Sequence, residues 1–407
     1  MSYVRLQIEE TARYEGAPSV TPYRVSTVTR DMPIRTFRLS PEPQPLSRAD
    51  ELRNIEGEVA DIPDFFEPAG SFAERTYLND LVFLLQISGF VSTITAGAGT
   101  VGTTGINATT ATGVNGLNSA IVNVASTAGF PSAGSFSLAG AGPVTYTGKT
   151  DTSFTGCGAH AATTGGEAIL DILPTGTYKH VFAKRGGSIA KTAQLIAAYT
   201  EAARFIRGQG YGCSSIGLNA LGELTADLMG LVYVRTSDPA LSPSLDAPAI
   251  LPMRRADLQI SWLAGSAETD DFSVAVANPL ERRKTFGLST RSYFADKMFH
   301  GNERVRVTGS IPKFAMANAD LDALLAASVF AALARWRSDV NIGATNYPYS
   351  MNLDMPSCQL SGGQDDELSN NRRFGSSYDW AAKWDMTAGY DAKFSIVCAI
   401  PALETYV

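Results

Sequence analysis

Histidines and cysteines, the side chains best suited to proton transfer near neutral pH, metal ligation and covalent chemistry, number three and four in this chain of 407 residues, and they stand apart in the sequence. The three histidines, His160, His180 and His300, have neither a second histidine nor a carboxylate at metal-ligand spacing. An imidazole base needs an orienting partner within hydrogen-bond reach, so these read as packing or surface residues. The four cysteines, Cys157, Cys213, Cys358 and Cys398, form no CxxC pair and lack zinc or disulfide-framework spacing, which predicts free interior thiols. Gly97-Ala98-Gly99-Thr100-Val101-Gly102 has the glycine content of a phosphate-binding loop, but neither the βαβ context nor the Lys-Ser/Thr that would hold a nucleotide. Adjacent acids at Asp270-Asp271 and Asp365-Asp366 fit solvated loops better than an acid–base pair. The basic run Glu281-Arg282-Arg283-Lys284 could touch phosphate or form an interface turn. No catalytic, cofactor-binding or metal-ligating residue is expected, and no enzyme activity.

The elements that would position side chains are more informative, because the chain reads as one unit written twice. Arg5-Leu6-Gln7-Ile8 has a near copy in Asp257-Leu258-Gln259-Ile260, 252 positions later, and the same offset maps Ile55-Glu56-Gly57 onto Val307-Thr308-Gly309. Between the copies, Gly97 to Ala168 holds only three charged residues, Lys149, Asp151 and Glu167, and fifteen of the 37 glycines. That composition marks an insert. The expected organisation is a first unit over 1–96 and 171–240, an inserted Gly/Thr/Ala-rich small β module over 97–170 on an outer surface, a linker over 241–256 and a second unit over 257–407.

Alternating runs such as Tyr23–Val28 and Ile34–Leu39, the latter ended by prolines 41, 43 and 45, predict strands. Further strands are expected at Glu58–Ile62, Tyr178–Phe182, Gly212–Ala220, Leu224–Val234, Leu258–Leu263, Phe272–Val276, Val305–Phe314, Tyr349–Leu353, Tyr378–Met386 and Phe394–Ile400. The run Leu195–Tyr199 suits a strand or an extended arm. A helix over roughly 77–88, capped by Thr76 and closed by Gly89, should bury one face through Leu78, Leu81, Val82 and Leu85. A second, over roughly 320–336, should bury Leu321, Leu324, Leu325, Val329 and Leu333, with Arg335 and Arg337 at its C-terminal end. The expected class is mainly β, with one flanking helix per unit.

No apolar run reaches the length that spans a bilayer, and Met1-Ser2-Tyr3-Val4-Arg5 lacks the basic and apolar regions of a signal peptide, which predicts assembly in the cytoplasm. A net charge of −7 argues against tight phosphate binding; such mild acidity suits a conduit that lets a duplex pass as well as it suits an ordinary soluble protein, and by itself decides nothing between them.

Each copy's order resembles the major tail tube proteins of long non-contractile bacteriophage tails. The resemblance lies in Ile55-Glu56-Gly57-Glu58 leading to Leu81-Val82-Phe83-Leu84-Leu85, in Tyr211-Gly212-Cys213 with Leu224–Gly230, and in Val307-Thr308-Gly309-Ser310. Gly129-Phe130-Pro131, Tyr146-Thr147-Gly148-Lys149 and Ser153–Cys157 resemble a small β module inserted in various phage structural proteins. The first copy departs from the pattern in a longer spacer, Pro63 to Arg75, and residues 185–210 have no clear partner in the second.

The resemblance implies two tandem antiparallel β-barrel or sandwich units that join neighbours edge to edge, so that rings stack into a tube through which the genome leaves. A duplicated chain would form a trimeric ring with pseudo-sixfold symmetry in preference to a hexamer. Implied partners are further copies of itself, the tail terminator, distal tail and tape-measure proteins, and genomic DNA in transit without specific binding. No membrane is implied, and the place of residence is the virion tail. The N-terminal arm 1–20, the stretch 185–210 and the charged loop 361–373 are candidates for inter-ring contacts. Competing readings are a neck, distal tail or capsid-decorating protein and, from another class, a carbohydrate-binding adhesin.

Overall fold

Residues that alternate apolar and polar character, rich in Val, Ile, Thr and aromatics, dominate the chain, and pleated strands are the geometry that sorts such a pattern onto two faces. The computed structural model describes residues 3–9, 25–32, 36–41, 43–46, 62–138, 142–183, 191–199, 204–236, 253–254, 258–263, 265–266, 269, 271–283, 297–300, 305–313, 318–364 and 376–403. It is mainly β, with large antiparallel sheets and two helices.

The chain opens with β1 (Tyr3–Glu9), β2 (Val25–Met32), β3 (Thr36–Ser40), β4 (Pro43–Leu46), β5 (Ile62–Phe66), β6 (Ala69–Arg75), α1 (Leu78–Gln86) and β7 (Val91–Ala96). The glycine-rich region supplies β8 (Thr104–Thr110), β9 (Ile121–Asn123), β10 (Gly134–Leu138), β11 (Pro143–Tyr146), β12 (Gly148–Lys149), β13 (Ser153–Thr155) and β14 (Ala168–Ile172). Then follow β15 (Tyr178–Ala183), β16 (Ala193–Tyr199), β17 (Arg204–Asn219), β18 (Glu223–Met229) and β19 (Val232–Thr236). The remainder forms β20 (Leu258–Trp262), β21 (Gly265–Ser266), β22 (Ser273–Ala277), β23 (Leu280–Arg283), β24 (Lys297–His300), β25 (Arg306–Lys313), α2 (Asn318–Leu325), β26 (Val329–Asn341), β27 (Pro348–Gln364), β28 (Ser376–Ala382) and β29 (Lys393–Cys398).

The pairings repeat. In the first half β1 pairs with β2 and β16, β17 pairs with β16, β18 and β19, and β6 pairs with β18 and β3. In the second half β20 pairs with β21 and β26, β27 pairs with β26, β28 and β29, and β25 pairs with β28 and β22. Every pairing of the first set thus has a counterpart in the second. The 252-residue offset holds for β1 and β20, which place Leu6 beside Leu195 and Leu258 beside Trp336.

It fails for Gly57, which lies outside the described residues. The ladder counterpart of Gly309 is Gly70: Gly309 stands between Val274 and Trp380, and Gly70 between Leu39 and Leu228. The stretch Pro63 to Arg75 is therefore no spacer, since it contains β5 and β6, and β6 is the counterpart of β25.

Helix α1 is buried around its whole circumference, Asn79, Asp80 and Gln86 included, where the leucine spacing had predicted a single buried face. Strands from both halves surround it: β2, β15, β17, β27 and β29. Asp80, in its first turn, pairs with the Arg30 guanidinium, and both are buried. Burial, and then the neighbouring Asp80 carboxylate, hold the Glu74 carboxyl well above its ordinary pKa. Thr76 does not cap this helix. Tyr77 occupies the N-cap position without a side-chain bond, and Gly89, at φ +85°, turns the chain after Ile87 and Ser88.

The second helix stops at Leu325, and Ala327 takes a left-handed φ of +49°. From Val329 the chain is strand, with Ala332, Ala334 and Trp336 inward, so Val329, Leu333, Arg335 and Arg337 belong to β26 and not to a helix. Leu325 is 76% exposed and Val329 55% exposed, which removes them from the expected buried stripe. The side chain of Leu321 is outside the description.

Three expected arms are partly sheet. Residues 3–9 form β1 between β2 and β16, Ala193–Tyr199 form β16 between β1 and β17, and 361–364 extend β27 along β28. Glu58–Asp61, the linker over 241–252 and residues 365–373 lie outside the described residues.

One hydrophobic core runs through both copies. Two ladders link the copies: β15 pairs on one edge with β7 and on the other with β29 of the second copy, and β17 pairs with β22. The insert has its own small core, in which Phe130, Phe136, Tyr146 and Phe154 interlock between the sheets β11-β10-β14-β8 and β12-β13-β9.

Candidate assembly interface

Among the described residues, the side chains singled out for possible chemistry do not converge on one place. Buried His180 donates from Nε2 to the Ile400 carbonyl at 2.7 Å and stacks on Phe182, with Nδ1 lacking a hydrogen-bond partner among the described residues. Burial pushes its pKa down to about 4. The neutral ring is the native form, so its contribution to stability is complete above the unfolded value of about 6.5 and is lost as pH falls towards 4. Across that window the wild type is expected to lose about 3 kcal/mol more stability than His180→Gln in urea unfolding; equal pH dependence in the two proteins would refute this.

His160 turns its ring nitrogens to the carbonyls of Ala161 and Ser119 inside the insert, and the side chain of His300, at the end of β24, is outside the description. Cys213 and Cys358 are buried, with thiols pushed up to about 12 by burial, and none of the four cysteines is in a disulfide. The amides of Gly97 and Gly99 are spent on Thr177 and Leu173 carbonyls, so that loop presents no anion cradle. Asp271 accepts from the amides of Ala220 and Phe272; Asp270, Asp365 and Asp366 fall outside the described residues. Arg282 donates to the Pro68 carbonyl at 2.5 Å and pairs with Glu67 at 3.4 Å, an interface role within the chain. Among the described residues no three His, Cys, Asp or Glu side chains converge on a metal position, and no helix is long and apolar enough to cross a membrane.

What the fold does build is an edge-to-edge join between its two copies. The C-terminal part of β17 meets β22 in register, Ser215 opposite Ala277, Gly217 opposite Ala275 and Asn219 opposite Ser273. Side chains extend the ladder at both ends. Asn278 donates its backbone amide to Ser214 and its side-chain amide to Cys213, while the Ala220 amide reaches Asp271.

The repeat supplies the same two edges once more. β3 is the counterpart of β22 and pairs with β6 among the described strands. Gly362 to Gln364 of β27 are the counterpart of Ser215 to Gly217, since a bulge at Leu360/Gly362 in the β27–β28 ladder matches the bulge at Cys213/Ser215 in β17–β18. Ser361 and Gly363 are exposed, as are Thr36 and Arg38.

No family model matches the chain, and no curated protein matches it.

The join was hidden from sequence reasoning by the wrong glycine pairing. Gly70-Ser71-Phe72 and Gly309-Ser310-Ile311, each about nine residues before a helix, hold the signal. Each Gly-Ser also faces a matching dipeptide across the ladder, Asp227-Leu228 in one copy and Asp379-Trp380 in the other.

A second contact set ties the insert to the second copy. Asp171 is buried and accepts from the Asn107 amide (3.0 Å), from Asn107 Nδ2 (2.7 Å) and from the Tyr347 hydroxyl. Burial raises the Asp171 pKa, and these donors oppose that rise. Nearby, Asn352 Nδ2 reaches the Ile106 carbonyl at 2.9 Å and Arg337 donates to the Phe130 carbonyl. Tyr347→Phe, which removes one donor from a buried carboxyl, is expected to cost about 1.5–3 kcal/mol. Limited proteolysis should then release the insert faster than from the wild type; an unchanged cleavage rate would show that the tie does not hold it.

Proposed function

We propose that this chain is a tail tube subunit of a long non-contractile phage tail, assembling with copies of itself into stacked rings around a DNA conduit. The observation that carries the reading is the β17–β22 join together with the second set of the same edges in β3 and β27. At these edges a neighbouring chain's strand would repeat the contact that β17 and β22 make within the chain. Because β3 and the end of β27 are different surfaces, the contact they make between chains is heterologous. It closes into a ring if the rotation between chains closes. With two copies per chain, three chains give six similar units around the ring.

In this reading the insert decorates the tube, the partners at the tube's ends and inside it are the tail terminator, distal tail and tape-measure proteins, and DNA passes the acidic chain without specific binding. Resistance to DNA retention is consistent with the net charge of −7. The test is electron microscopy of the concentrated full chain, with purified tail tips supplied as nuclei. Hollow rings stacked to indefinite length support the reading. Monomers, or closed rings that do not stack even on tips, would favour a neck or decorating protein instead.

A further inference from the structure

A cleft of about 370 Å³ lies between the insert and the outer face of β20, β26 and β27. Cross-strand register sets its floor: Gln259, Arg335 and Asn352 form one row, and Arg337 and Ser350 the next. These residues alternate with Ala334 and Trp336, which face the core, so the two arginines share the cleft side of the sheet. The insert closes over them with Thr127, Gly129, Lys149 and Asp151. Three cations therefore meet one carboxylate in a half-enclosed space.

Their hydrogen bonding is incomplete. Arg335 Nε and Ser350 Oγ are buried and have no hydrogen-bond partner among the described residues. Lys149 Nζ reaches only the neutral Thr127 carbonyl at 2.9 Å, and Arg337 only that of Phe130. A buried guanidinium nitrogen and a buried hydroxyl left without partners are costly unless a ligand completes them; Asp339 acts on Arg337 and Asp151 on Lys149, while no carboxylate among the described residues acts on Arg335. Burial lowers the pKa of both arginines, and burial with the nearby Arg337 charge lowers Lys149 to about 8, the direction a bound anion would reverse.

We propose that this cleft binds a phosphate group, with Arg335, Arg337 and Lys149 as its cationic ligands and Ser350 as a hydroxyl donor. Planar guanidinium forks and hydroxyls match tetrahedral oxyanions. The volume exceeds that of the bare ion, so the group is either free phosphate or the phosphate of a small sugar ester, whose hydroxyls would meet Gln259, Asn352 and Thr127. Such a ligand would also bridge the insert to the second copy and fix the insert's orientation.

The test is thermal unfolding of the full chain in inorganic phosphate and, separately, in glucose 1-phosphate, each against chloride at matched ionic strength. A saturable rise of several degrees in Tm is expected with at least one of them, and calorimetry should give an affinity that falls about tenfold or more in Arg335→Gln and in Lys149→Gln. Response to inorganic phosphate identifies the free ion, and response to the ester alone identifies a phosphomonoester. Because Lys149 lies on the insert, K149Q serves if R335Q does not fold. No rise beyond chloride in the wild type, or an equal rise in wild type and folded variants, overturns the proposal.

Discussion

Cysteines placed at Ser40 and Gln364 are expected to link each chain covalently to the next in assembled material and to stop at three chains. The register follows from the internal join. Gly217 stands opposite Ala275; the counterpart of Gly217 is Gln364, and the counterpart of Ala275 is Ser40, because Leu39 faces Gly70 as Val274 faces Gly309. Opposed residues of antiparallel strands have Cβ atoms about 4.5–5.5 Å apart, near the separation a disulfide requires. Oxidation, or a short bifunctional thiol reagent, should therefore convert single-chain bands into bands of two and three chain masses on a non-reducing gel. With the half-buried native Cys157 replaced by serine, either cysteine alone should give none of them, since Cys213, Cys358 and Cys398 are buried. Assembled material that stays uncrosslinked in the double variant would show that chains meet through other surfaces.

Gly309→Ala is expected to destabilise the chain by about 3 kcal/mol, while Gly70→Ala at the equivalent ladder position should cost under about 1.5 kcal/mol. A Cβ on Gly309 would lie 1.8 Å from the Ser273 carbonyl oxygen and 2.5 Å from the Trp380 ring. Neither neighbour can yield cheaply. Ser273 is held in the β22–β25 ladder, and Trp380 is fully buried and stacked on Phe272 with 5.5 Å between ring centroids. At Gly70 the nearest atom is Leu39 Cδ1 at 3.0 Å, the end of a flexible side chain. Urea unfolding at constant m-value measures both. Similar losses at the two sites would mean that the duplicated strands are packed alike, contrary to this account.

The strands were largely legible because a period of two survives in short runs. Ser273–Ala277 buries Val274 and Val276, and Glu223–Met229 buries every second residue. The second helix was over-extended because Leu321, Leu325, Val329 and Leu333 stand four apart, while the competing alternation of Ala332, Ala334 and Trp336 rests partly on alanine, which signals little. A left-handed Ala327 decides between them. Full burial of α1 depends on strands from both halves, and the Asp171–Tyr347 contact joins residues 176 apart. Periodicity carries no record of such meetings. The repeated edges are defined by the pairings, which match Gly70 with Gly309, and not by the tetrapeptide copies.

If one duplicated chain forms a ring by reusing the join it already makes internally, three inserts must stand around each ring. Two-dimensional class averages of end-on rings from the purified full chain should show three outer lobes around a hollow wall of sixfold appearance. Six lobes, or particles in which no closed ring forms, would contradict it.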